Sequence, residues 1–297
     1  MPKDVTIILI GTAVGTIARF YSLRVDYRQY PGYPQGYLLH LTLGMIAAAL
    51  GAVALPALLK KEYAAVTFLA LATQQFREIR NMERESLINI EKTELVKRGD
   101  AYIEDIARKF EARNYLALLT GLITCGGIIV TKRLDIGIII GVVLLISLKF
   151  ILTPKQVGDI AVVRQAEFKF EGTLLDIEGN KLTNVGLREA RERYMERGLA
   201  LVIEPVDDDA NTTLSNLGQR QAILHDVSIQ LGIRRENDEP EFTPVAKRDS
   251  TTGRIAIFMI PYEKDIECMI EAAKRVPILE SSRRLPLSSE AGSQASD

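Results

Sequence analysis

The stretch Leu38-Leu-His40-Leu-Thr-Leu-Gly44-Met-Ile-Ala-Ala48-Ala-Leu-Gly51-Ala-Val-Ala-Leu-Pro56-Ala-Leu-Leu59 decides the fold class. His40, near its start, is its single ionisable side chain. An uncharged run of this kind, about 20 residues, crosses the hydrocarbon layer of a bilayer as an α-helix. Gly44, Ala47, Ala48, Gly51 and Ala52 give it a small-residue face on which another helix can pack closely. Outward from it, Val5 to Leu23 forms a second run, provided that Arg19 snorkels to the interface. Asn114 to Val130 and Ile136 to Leu152 form two more, joined by a Lys132-Arg133 turn. Tyr63 to Phe76 is short and ends in Gln74-Gln75, so alone it fits a span, a re-entrant segment or a buried helix.

Charge placement resolves the short run. The connector after the first run holds Arg19, Arg24 and Arg28, and the segment 77–113 is rich in Lys and Arg. Basic connectors belong on the cytoplasmic side, and both can lie there only if two crossings separate them. The expected architecture is a membrane α-helical bundle of about five spans, N-terminus outside, followed by a small cytoplasmic α+β domain. The first run carries only Lys3 against Asp4 at its head and no small-x-small site before Arg19. It therefore reads as a retained helix, not a cleaved leader. Gly11 and Gly15 form a GxxxG pair, for which packing within the bundle is the expected use.

The expected domains are 1–153, a transmembrane bundle with a cytoplasmic helical connector at 77–113, then 154–280, and a disordered tail at 281–297. Past Pro154 the pattern changes to short alternating runs. Ile160–Val163, Glu167–Phe170 and Leu174–Ile177 read as strands, the last ending at the Glu178-Gly179-Asn180 turn. Helices are expected at Leu187–Glu196, Ser215–Leu231 and Lys264–Arg275, and a hairpin at Val245–Ile260 around Thr251-Thr252-Gly253. From Ser281 the Ser, Arg, Pro and Gly content predicts disorder.

Net charge is −1, which gives no basic surplus for nucleic acid. The expected partners are the lipid bilayer and a protein partner or protein substrate, and the sequence assigns no oligomeric state. Cys125 and Cys268 fall in different halves and are expected to be reduced thiols. Phosphate-loop, Rossmann, HExxH and clustered-cysteine patterns are missing, so the sequence calls for no cofactor and no metal. Acidic residues are missing from the middle of every span, which argues against coupled solute transport.

Three constellations could carry chemistry. Arg24, Asp26, Arg28 and Tyr30 follow the first span, where an interfacial aromatic and arginine belt is the favoured account of them. Gly158-Asp159 follows the last span, where the plain alternative is that Gly158 marks the turn into the domain with Asp159 as a turn residue. Asp26 and Asp159 would both sit just beyond a cytoplasmic boundary, where two carboxylates sharing a proton can act as base and acid, as in aspartic proteases. The Gly-Asp pair resembles that of GxGD membrane proteases, with Gln156 in place of the motif's first glycine. In the third constellation, Gly218, Gln221, Ala222 and His225, with Asp226 beside them, share one helix face able to recognise a polar peptide or small ligand, or simply to face solvent.

The segment Ala101-Tyr-Ile-Glu-Asp-Ile-Ala107, followed by Phe110-Glu-Ala-Arg-Asn-Tyr115, resembles the signature of the YIEGIA family of spore-forming Firmicutes. The resemblance extends through Leu23-Arg-Val-Asp-Tyr-Arg-Gln-Tyr-Pro31, Gln156-Val-Gly-Asp-Ile-Ala161 and Leu217-Gly-Gln-Arg-Gln-Ala-Ile-Leu-His-Asp226, covering nearly the whole chain. Asp105 stands where the signature has glycine. The resemblance implies association with sporulation and adds Tyr102 and Glu104 to the candidate binding residues. It supplies no settled activity, so a sporulation-associated membrane protein with a protein-engaging domain and a membrane aspartyl peptidase both stay open.

Overall fold

A computed structural model describes residues 3–26, 34–151, 153–236, 239–240 and 242–295. The chain divides into two compact units, Met1–Ser86 with Ile106–Thr153, and Leu87–Asp105 with Pro154–Asp297. The segment 87–105, from the middle of the expected connector, thus belongs with the C-terminal unit.

The first unit is built on five helices, α1 (Lys3–Asp26), α2 (Pro34–Leu59), α3 (Tyr63–Glu91), α4 (Asp100–Thr131) and α5 (Leu134–Ile151), of which the ends of α3 and α4 enter the second unit. Each apolar run of the sequence lies in one of them. Among the described residues, however, three helices are long and apolar enough to cross a membrane: Asp4–Leu23, Gly36–Leu59 and Asp100–Thr131. Of the five expected spans, three meet this measure of length and composition. In α3 the apolar run stops at Phe76 and the helix continues with charged residues, while Leu134–Leu148 of α5 is a shorter apolar helix.

Small residues let these helices approach, because without a side chain one backbone can lie against the next. A Cβ on Gly15 would stand 2.6 Å from both the Ala117 carbonyl and the Ala48 Cβ, and one on Gly121 would stand 2.6 Å from the Ala48 carbonyl. The space beside Gly11 is taken by Cys125 Sγ, and that beside Gly51 by the Leu118 carbonyl. The GxxxG pair is therefore spent inside the unit, against α2 and α4.

In the second unit a 3₁₀ turn, Val157–Asp159, leads into β1 (Ala161–Gln165), β2 (Phe168–Glu171), β3 (Leu174–Ile177) and β4 (Asn180–Asn184). Then come α6 (Arg188–Arg197), β5 (Leu199–Pro205), α7 (Asp208–Leu214), α8 (Leu217–Leu231), the short pair β6 (Arg235–Glu236) and β7 (Glu239–Pro240), β8 (Val245–Arg248), β9 (Ile255–Met259), α9 (Ile266–Lys274) and α10 (Glu290–Ala295). One antiparallel sheet has the order β1-β5-β9-β8, and β2-β3-β4 forms a separate antiparallel meander. The central strands β5 and β9 read as unbroken apolar runs because both of their faces are covered. Along one face Ala200, Val202, Ala256 and Phe258 join Leu175, Ile177 and Tyr194 in a single cluster. The Tyr194 ring stacks on Phe258 at 4.8 Å and meets Phe242 edge-on at 4.8 Å.

The expected disorder from Ser281 is replaced by a strap. Gln219, fully buried in α8, donates from Nε2 to the Pro277 carbonyl (3.1 Å), and its Oε1 accepts from Leu279 N (2.8 Å) and Ser282 Oγ (2.9 Å). Arg284 N donates to Thr213 Oγ1 (3.2 Å) and Leu287 N to Asp209 Oδ1 (2.9 Å). Composition predicts disorder from the segment's own apolar content. It is blind to backbone donors and acceptors that a distant buried amide can satisfy.

Candidate functional sites: a buried arginine and a covered helix face

In the first unit Arg19 does not reach outward as the sequence suggested. It is fully buried, its Nη2 3.4 Å from His40 Nδ1 and its guanidinium 5.4 Å from the centre of the Phe110 ring. His40 meets the same ring edge-on at 4.9 Å. Gly44 makes the room, because its missing side chain leaves space for the stem of Arg19. One turn beyond Phe110, Asn114 is buried too. A charged side chain sealed in a helical bundle is costly unless polar and aromatic groups surround it. Here α2 supplies His40 and α4 supplies Phe110, while Ser22 of α1 accepts from Arg19 Nη1 at 3.5 Å.

In the second unit the candidate face of α8 is assembled as its spacing predicts. Asn216 caps the helix, accepting from Gln219 N at 3.2 Å, and places Gly218, Gln221, Ala222 and His225 along one side. That side is not open. Residues 96–102 lie on it: Gln221 Nε2 donates to the Lys97 carbonyl, His225 Nδ1 lies 2.6 Å from the Val96 carbonyl, and Arg98 Nε donates to His225 Nε2 at 3.0 Å. Tyr102 Oη donates to Asp226 Oδ2 at 3.1 Å, and the Tyr102 and His225 rings meet edge-on. Gly218 faces Ala101, whose Cβ would be 2.5 Å from any Cβ added there. Gly99, at φ +87°, turns the chain into α4, and its N–H donates to Glu91 Oε1 at 2.8 Å.

These partners fix the protonation of His225. With Nδ1–H donating to a carbonyl and Nε2 accepting from an arginine, the imidazole is neutral. Burial pushes its pKa down to about 4, the Val96 carbonyl works against that shift, and the Arg98 charge adds to it.

The family model for the YIEGIA protein matches residues 7–289 of the chain. The chain belongs to the YIEGIA family. It is 41% identical over 279 residues to an uncharacterized protein, YphB, of Bacillus subtilis (strain 168), covering 94% of each. No solved structure matches the chain.

The YIEGIA signature thus supplies part of the cover over α8. Tyr102 is buried and bound to Asp226, and Glu104 is half-buried on the same helix. Asp105, the residue that departs from the signature glycine, is buried and accepts from Glu280 N at 2.9 Å, tying the start of α4 to the strap. Of the proposed aspartyl pair, Asp159 is exposed and accepts from Gln156 N at 2.7 Å, closing the 3₁₀ turn. Gly158 lies in that turn against Lys274, where a Cβ would come within 3.2 Å of the lysine Cβ. The side chains of Arg24 and Asp26, at the end of α1, and all of Arg28 and Tyr30 lie outside the described residues. Both cysteines are free thiols. Among the described residues no group of three or more His, Cys, Asp or Glu side chains converges on a metal position.

Sequence reasoning found the α8 face and missed what covers it. Val96, Arg98 and Gly99 sit in a charged connector with no periodicity. Gly99 alone gave a signal, as a glycine between two helical segments. Arg19 with His40 and Phe110 was missed because three separate helices bring them together.

Proposed function

We propose that this protein is a multi-pass membrane anchor of endospore-forming bacteria whose C-terminal α+β domain faces the cytoplasm and engages a protein partner. The observation that carries the reading is an open cleft of about 630 Å³ lined by Phe170, Arg188, Arg191, Glu192, Met195 and Glu196. Beside and within it Leu187 and Met195 are exposed at 76% and 51%. Leu187, Arg191 and Met195 recur four residues apart, so the two apolar side chains share one side of α6 with charge around them, the make-up of a protein contact surface. Arg191 is held toward the start of α6 by the Val185 and Gly186 carbonyls, so this wall of the cleft is preformed.

On this reading α3 and α5 cross the bilayer with the three longer helices, which places the N-terminus outside and both 77–113 and the domain inside. Single cysteines introduced at positions 132, 90 and 206 of an otherwise cysteine-free chain test it, Val206 being an exposed site just past β5. Impermeant reagent added from outside is expected to label 132 alone, and labelling at 90 and 206 would reject the topology.

The rival reading is a membrane aspartyl peptidase built on Asp26 and Asp159, and the exposed carboxylate of Asp159 is what favours it. Complementation of a deletion strain separates the two. The anchor reading expects Leu187→Glu with Met195→Glu to fail to restore sporulation at normal protein level, and Asp26→Asn and Asp159→Asn to restore it. The peptidase reading expects the reverse, because either carboxylate is needed to activate water and the amide keeps shape without titrating.

A further inference from the structure

The cover on α8 differs from the rest of the second unit in what holds it. Between the end of α3 and the start of α4 the chain at 94–99 has no regular element, and Val96 is its buried apolar side chain. Its hold on α8 is polar: the two carbonyls of Val96 and Lys97 and the guanidinium of Arg98. Along the same seam three buried polar atoms have no hydrogen-bond partner among the described residues: Glu91 Oε2, Arg98 Nη1 and Ser228 Oγ. Ser228 stands one turn beyond His225 on α8, and Glu91 is bonded to Gly99 next to Arg98. Buried donors and acceptors without partners oppose closure, and opening returns them to water. Residues 94–99, with one buried apolar side chain and no regular element, open well below the global unfolding free energy, and Ala101 and Tyr102 on the first turn of α4 follow as that turn frays.

We propose that residues 94–102 are a releasable clasp, covering the Gly218–Gln221–His225 face of α8 in this structure and uncovering it for a protein segment of the same chemistry. That segment presents a small residue opposite Gly218, a backbone carbonyl to Gln221 and a guanidinium to His225 Nε2, as the clasp itself does. The proposal rests on the partner-engaging reading above and gives it a regulated second surface. Two anchors flank the clasp, Leu87 on α3 and Ile103 on α4, each 2% exposed, so release frees the clasp without dissolving the helices that carry it.

The test is hydrogen exchange in the full-length protein in lipid nanodiscs, with two variants that open the clasp by different routes. Arg98→Ala removes the donor to His225. Gly218→Ala removes no donor or acceptor and drives a methyl against Ala101, while alanine strengthens α8 itself. Both are expected to speed exchange of the amides of residues 96–102 at least tenfold and to leave β5 and β9 at wild-type rates. Unchanged exchange, or acceleration that spreads into β5 and β9, overturns the proposal, because the segment would then be an integral part of the folded core. A synthetic peptide of residues 94–105 is expected to slow exchange on the outer face of α8 in Arg98→Ala, and no protection at millimolar peptide overturns the claim that the face accepts an external segment. These measurements need no cellular partner. Their failure sinks the clasp, whereas failure of the complementation test sinks the partner reading.

Discussion

Between pH 6.5 and pH 4 the C-terminal unit is expected to lose about 3 kcal/mol of stability through His225 alone, the shift from 6.5 to about 4 taken at 1.36 kcal/mol per pH unit. The sign follows from which state binds the proton. Unfolded, the imidazole takes a proton near pH 6.5. Folded, it is buried, gives Nδ1–H to Val96 and faces Arg98, so it stays neutral until about pH 4. In that window the unfolded chain binds more protons, so stability is fully present above pH 6.5, falls with pH, and levels off below about 4. Carboxylates also titrate in this range, so the comparison that isolates His225 is with His225→Asn. Asparagine keeps a donor for the Val96 carbonyl but cannot titrate. The variant is expected to be less stable at pH 7, having lost the acceptor for Arg98, and to show a pH dependence shallower by about 3 kcal/mol across the window. Parallel curves for the two proteins, from denaturant unfolding followed by exchange at β5 and β9, would show that His225 is not held neutral.

A loss of about 3–5 kcal/mol is expected for Tyr194→Ala, enough to remove a large part of the stability of a typical domain. Tyr194 is the buried residue of α6, stacked on Phe258 of β9, edge-on to Phe242 and near Phe170 of β2. Its removal leaves a cavity between the meander and the four-stranded sheet, bordered by rings too large to collapse into it. Tyr194→Phe keeps the rings in contact and is expected to cost less than about 1.5 kcal/mol. Thermal unfolding of the two variants checks the pair, and equal losses would place the stabilisation in the hydroxyl group and not in ring packing.

The elements of the second unit were largely legible, and for definite reasons. Ile160–Val163, Glu167–Phe170 and Leu174–Ile177 alternate with the period of a strand, and Gly179 at φ +90° closes the β3–β4 turn where the sequence put it. The hairpin at 245–260 turns through Gly253, and Asn216 and Asp265 supply the caps of α8 and α9. The strap was not legible, because what orders Ser282 and Arg284 is the side chains of Gln219 and Thr213, some 60 to 70 residues earlier.

What the sequence determined by itself was local: which segments are apolar enough for lipid, where periodicity changes from helix to strand, and which four residues of α8 share a face. Each depends on neighbours within a few turns, whose geometry the backbone fixes. The tertiary structure decided what those faces meet. It buried Arg19 against His40 and Phe110 instead of letting it snorkel, and it closed the α8 face with Val96, Arg98 and Tyr102 of the same chain. A side chain's partner across a hundred residues is chosen by close packing and by the cost of leaving a buried donor or acceptor unmatched. Neither is written in the spacing of residues along the chain.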